Sequence, residues 1–160
     1  MYLRLLPVLL VAFLCTSLST QAQSLKVPAK KWDKGYFPKD MPKVHFGMSL
    51  ALFALEHKNI SDLSSETYTF RKVFLEEVEG APFDQVIYYF DAEGDKPLYE
   101  VILIYPEGVN VEKVARGLYG PPNNGEEWSW THKKGHPVNI WVYKQKIVIA
   151  AVMPGTEWVE

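Results

Sequence analysis

The chain has 160 residues, 48% of them hydrophobic and 22% charged, with a formal net charge of −2. Those values exclude wholesale disorder and fit one domain or two small subdomains. Aromatic residues reach 14%, with five Trp and nine Tyr, enough to fill a core or to build a recognition surface.

Residues 1–22 are expected to be a signal peptide. Arg4 supplies the positive start, and Leu5 to Leu14 form an apolar run too short to span a bilayer. Thr20-Gln21-Ala22 gives a small-x-small cleavage pattern after Ala22. Lipidation of Cys15 is the weaker expectation, because Leu14 stands where lipoprotein processing wants a small residue. Cleavage at Ala22 would leave no cysteine in the mature chain, and with it no disulfide, thiol nucleophile or thiolate metal site. An exported protein, periplasmic or extracellular and of bacterial origin, is the expectation. In a eukaryotic source Asn59-Ile60-Ser61 would be a glycosylation sequon.

Residues 23–44 form a basic arm. Six lysines face two aspartates there, a net of +4, and Pro28, Pro38 and Pro42 deny it regular helix. From residue 45 onward the chain carries ten basic and 17 acidic residues. The arm is expected to lie on that acidic body or to touch an anionic partner, with Trp32, Tyr36 and Phe37 as anchors. An acidic body excludes nucleic acid as the expected partner.

Ser49 is a natural N-cap, and Leu50, Phe53, Ala54 and His57 recur at helical spacing. The polar run Asn59 to Ser65 ends that helix. Residues 67–75 are aromatic and β-branched, hence a strand. Residues 86–105 read as a hairpin around the polar turn Asp91–Lys96. Asn110 then caps a second helix carrying Val111, Val114, Ala115 and Leu118, a constant shift of 61 from the first stripe. Gly120-Pro121-Pro122 ends it. Residues 127–131 form a short aromatic strand, and 138–143 with 146–152 make a second hairpin turning at Lys144-Gln145. The order helix–strand–strand–strand thus occurs twice, as in an internal duplication. The expected fold is α+β: two tandem helix–three-strand antiparallel meander units, 45–108 and 109–160, with the helices packed on one face of the sheet.

Gly47-Met48-Ser49 opening a short helix, Leu118-Tyr119-Gly120-Pro121 closing the next, and strands rich in Trp and Tyr resemble the BamE-like (SmpA/OmlA) lipoprotein domain. The doubled helix-plus-meander arrangement is similar to the β-lactamase inhibitor protein fold. The resemblance spans roughly residues 45–154 and implies an exported, non-enzymatic protein that binds another protein.

No catalytic constellation is legible. His132 and His136 stand four apart, but Gly135 and Pro137 place them in a turn with two lysines between. Asp91-Ala92-Glu93-Gly94-Asp95 lacks the glycine and glutamate positions of a calcium loop and reads as a solvated turn. Gly47-Met48-Ser49 has no nucleophile-elbow frame, and no phosphate-binding glycine pattern occurs. No enzyme, metal or cofactor is expected.

One helix per three strands covers one face of a sheet and leaves the other for solvent or a partner. Strand alternation puts Val138, Ile140 and Val142 on the helix side and Asn139, Trp141 and Tyr143 on the other. The candidate binding face is therefore Trp128, Trp130, Trp141, Tyr143, Tyr89 and Glu100, aimed at an envelope or secreted protein partner. The alternative is a small-molecule or lipid-binding domain, with a hydrophobic ligand between sheet and helices.

Overall fold

A computed structural model describes residues 35–131 and 135–159. The expected signal peptide with Cys15, the start of the basic arm with Trp32, and His132 lie outside those residues.

The described part of the arm is built into the core rather than laid on the surface by charge. Tyr36 and Met41 are buried. Tyr36 packs on Trp130 at 5.6 Å between centroids, and its carbonyl accepts from Tyr119 Oη at 2.8 Å. Phe37 packs on Phe46 at 5.0 Å.

Helix α1 (Leu50–Glu56) begins where Ser49 Oγ accepts from the Leu52 amide at 3.3 Å. Seven residues are too few for a helix to hold alone. Phe53 holds it, fully buried against Phe74, Tyr88 and Phe90 at 4.7–5.9 Å, a burial of the kind that stabilises by about 1.5–3 kcal/mol. His57 ends the helix, buried and stacked on Phe53 at 4.2 Å. Its Nδ1 lies 2.9 Å from Glu76 Oε2, to which Tyr88 Oη also donates at 2.7 Å. Helix α2 (Val111–Tyr119) is capped by Asn110 Oδ1, which accepts from the Lys113 amide at 2.9 Å, and stops at Gly120 with φ +79°.

The strands are β1 (Ile60–Asp62), β2 (Arg71–Glu77), β3 (Gln85–Asp91), β4 (Leu98–Ile104), β5 (Trp128–Trp130), β6 (Val138–Tyr143) and β7 (Lys146–Ala151). Both expected hairpins form, β3–β4 and β6–β7. Strand β2 starts at Arg71 rather than residue 67, because residues 67–70 are exposed. β1 was read as a polar helix end. Its three residues are too few to show alternation, and pairing with β2 alone defines it.

The expected α+β fold of two tandem helix–three-strand units is overturned. The seven strands of the described residues form one antiparallel sheet in the order β1-β2-β3-β4-β7-β6-β5, so the described residues are predominantly β with two short helices. β4 and β7 pair from Glu100 opposite Ala150 to Ile104 opposite Lys146, which joins the two halves through the middle of the sheet. The physical reason is the edge: two separate meanders would leave both strands with unpaired backbone groups, and their union removes both edges. The shift of 61 also fails as a structural equivalence. Ala54 is exposed where Ala115 is buried, and His57 is buried where Leu118 is exposed.

Register fixes the two faces, because residues directly opposite share one. One face carries Tyr88, Val101, Ile149, Ile140 and Trp128 in a row, with Val86, Leu103 and Ile147 beside it. Phe53 of α1 and Val111 and Ala115 of α2 belong to the same buried cluster. The main core therefore lies between the helices, segment 35–48 and this face.

Candidate functional site

Among the described residues no helix packs on the second sheet face. Its central row is Leu75–Ile87–Ile102–Val148–Trp141, one residue from each of five adjacent strands. Ile102 and Val148 keep 8% and 5% of their surface exposed, while the core residues Val101 and Ile149 beside them keep none. Ile102 and Val148 stand outside the main buried cluster. The parallel row Val73–Tyr89–Glu100–Ala150–Asn139–Ser129 borders it on one side. Gln85–Ile104–Lys146–Tyr143 borders it on the other.

Four of the six sequence-derived candidates share this face: Tyr89, Glu100, Trp141 and Tyr143. Tyr89 stands directly opposite Glu100. Tyr143, 56% exposed, ends the row that Lys146 continues. The other two are separated from them. Trp128 stands opposite Ile140 and is fully buried, its Nε1 donating to the Gly120 carbonyl at 3.0 Å. Trp130 stands opposite Val138 and packs on Tyr36 and Tyr119. Both lie on the helix-covered face, and grouping them with Trp141 is corrected accordingly. Ser129 is the β5 residue on the uncovered side, its Oγ donating to Asn139 Oδ1 at 2.8 Å.

A β-bulge at Tyr89/Phe90 shapes the polar end of the face. Phe90 pairs with Leu98, so Tyr99 is an extra residue beside Glu100. Both reach the C-terminal segment, which the sequence reading left out of the site. Tyr99 Oη donates to Glu157 Oε1 at 2.7 Å, and Trp158 Nε1 donates to Glu100 Oε2 at 3.0 Å. Trp158 meets Trp141 edge-on at 5.5 Å. Arg71 was also missed. Its Nη1 donates to both Glu157 oxygens at 3.2 Å, and its guanidinium carbon lies 5.1–5.5 Å from the Tyr89, Phe70 and Tyr68 ring centres. No local pattern marks Glu157 or Trp158. The Pro154-Gly155 turn is the one signal that the chain folds back there.

Electrostatics follow from this enclosure. Burial, reinforced by the Glu157 charge, pushes the Glu100 carboxyl up to about 7, against the opposing Trp158 hydrogen bond and Arg71. Burial and the bond to Glu157 also raise the Tyr99 phenol. Burial, with Glu100 next in strength, raises Tyr89. Burial disfavours the Arg71 charge, but Glu157 outweighs it and the guanidinium is held more firmly protonated. The result is a clamp: a cation in an aromatic cage, tied to one carboxylate, beside a second carboxyl that changes charge near neutrality.

At the β1 edge, residues 63–68 fold against the face. They leave a recess of about 230 Å³ lined by Val73, Ile87 and Tyr89 of the sheet, with Leu63, Tyr68 and Arg71 around it. Among the described residues no group of three or more His, Cys, Asp or Glu is placed to hold a metal ion. None of their helices is long and apolar enough to cross a membrane.

No protein-family model matches the chain, and no curated protein or solved structure matches it. The likeness to the BamE-like domain therefore rests on the short motifs that suggested it.

Proposed function

We propose that this protein is an exported, non-enzymatic binding module whose uncovered sheet face receives a protein partner in the cell envelope or secreted space. The observation that carries the reading is the apolar row Leu75–Ile87–Ile102–Val148–Trp141, unbroken across five strands on a face that no described helix covers. The row is half-buried at Leu75, Ile87 and Trp141 and buried at Ile102 and Val148, and its aromatic and arginine neighbours are residue types enriched at interface centres. Tyr89, Arg71, Trp141 and Trp158 supply those neighbours, and the recess beside Ile87 is of a size for one large side chain.

The test is capture of protein from an envelope extract by the purified protein and three variants. Ile87→Lys and Trp141→Ala alter the row at half-buried positions, while Leu55→Lys alters an exposed residue of α1 on the other side. The same partner should be retained by wild type and Leu55→Lys and lost by the two face variants, all four showing the same circular dichroism. Retention by all four, or by none, refutes a partner on this face.

A further inference from the structure

After β7 the chain passes from the main core to the uncovered face. Met153 belongs to the buried cluster, and Thr156 is buried with its Oγ1 donating to the Met153 carbonyl at 2.8 Å. The Thr156 and Val159 amides donate to the Met153 and Thr156 carbonyls at 3.2 and 3.1 Å, so these backbone bonds stay inside the segment. Gly155, with φ +85°, makes the turn. Beyond it Glu157, Trp158 and Val159 are exposed. Glu157 and Trp158 hold the face through side chains: Arg71 and Tyr99 on the carboxylate, Glu100 on the indole N–H, and Trp141 edge-on against the indole ring.

This contact covers the polar end of the face without sealing it. Trp158 keeps 41% of its surface exposed. A recess of about 440 Å³ remains between residues 155–157 and Phe70, Asp91, Glu93 and Tyr99. Interdigitated packing leaves few voids larger than a water molecule, so the segment rests on its side-chain contacts rather than on a filled interface. Those contacts also define what this end of the face accepts. Arg71, caged by Tyr68, Phe70 and Tyr89, takes a carboxylate together with the Tyr99 hydroxyl. Asp91 and Glu93 oppose a carboxylate across the recess, so Arg71 and Tyr99 must supply its binding. Glu100 takes an N–H donor, and Trp141 takes an aromatic ring.

We infer that residues 157–159 are an autoinhibitory strap, and that the partner is a protein segment with an acidic residue followed by tryptophan, which displaces Glu157 and Trp158 from Arg71, Tyr99, Glu100 and Trp141. The inference rests on the proposed binding face and adds the chemistry of its partner. Tethered beside the site, the strap competes at an effective concentration of about millimolar. Partner binding is therefore weakened by the strap and restored by its removal.

Fluorescence anisotropy of a labelled synthetic peptide with the sequence of residues 153–160, titrated with the purified protein, tests this. The proteins are the wild type, Trp158→Ala, and Glu157→Ala combined with Trp158→Ala. Both positions are exposed, so the core is untouched, and circular dichroism checks the fold. The double variant should bind the peptide at least about tenfold more tightly than the wild type, with Trp158→Ala between them. Adding Arg71→Gln to the double variant should weaken binding about tenfold. Equal affinity of the wild type and the double variant overturns the inference. So does undiminished binding with Arg71→Gln, or no binding to the double variant. Capture from the envelope extract separates this result from the preceding one. A partner retained by the wild type, with the peptide bound by no protein, overturns the strap and leaves the face. Peptide bound as expected, with no envelope partner retained, supports the strap and overturns the envelope partner.

Discussion

Glu100 is where burial and charge are most opposed. The residue is 6% exposed, and burial pushes its carboxyl up to about 7 from an ordinary value of 4.5. Between those values the folded state holds a proton that the unfolded chain has released. Stability therefore falls as pH rises from about 4.5 through 7 and is level above that. At about 1.36 kcal/mol for each unit of difference, the loss is roughly 3 kcal/mol for the 4.5-to-7 span. Glu100→Gln keeps an oxygen for Trp158 Nε1 and removes the titration. It should match wild type near pH 4 and exceed it by up to roughly 3 kcal/mol at pH 8 in urea unfolding. An unchanged pH slope in the variant would assign the effect to another group. The same residue shows what side-chain type conveys. A lone glutamate in an apolar strand is conspicuous, but the sequence is silent on the bond from Trp158 to Glu100 and on that from the neighbouring Tyr99 to Glu157, each joining residues 58 positions apart. Trp128 and Trp130 make the converse point: an aromatic side chain does not declare its face until its strand has a partner in register.

At the scale of elements, the features set by neighbouring residues were the ones legible beforehand. The Ser49 and Asn110 caps, the Gly120 stop and the turn at Lys144-Gln145 each depend on a few adjacent residues, and each is present. Asn110→Ala should cost about 1 kcal/mol of global stability. Asn110→Ser should recover most of it, because the lost interaction is the acceptor for the Lys113 amide at 2.9 Å. Denaturant midpoints at constant slope measure both; equal midpoints for the Ala and Ser variants would show that the cap bond contributes nothing. The start of β2 and the existence of β1 were not legible. β1 is strand only because Ile60, Ser61 and Asp62 find Glu76, Leu75 and Phe74 across the ladder. The aromatic residues Tyr68 and Phe70, which suggested an earlier start, lie exposed around Arg71.

At the scale of the molecule, the β4–β7 ladder decides the cooperativity. Two tandem units could unfold one after the other, whereas a sheet joined through its centre loses both halves when that ladder breaks. The two halves should therefore unfold in one transition. Fluorescence of the buried Trp128 and hydrogen exchange of the β3 amides should give coincident denaturant midpoints, and two resolved midpoints would contradict the joined sheet. The sequence by itself determined the hairpins, the caps, the alternation of β6 and the presence of an apolar face beyond the helices' reach. All of these arise from contacts a few residues apart and from the periods of helix and strand. Only the tertiary structure decided that two meanders are one sheet, that Trp128 and Trp130 belong to the covered face, and that Arg71, Glu157 and Trp158 complete the other. Strand pairing and side-chain burial between distant segments set those outcomes, and the free energy of such contacts is written in no local pattern.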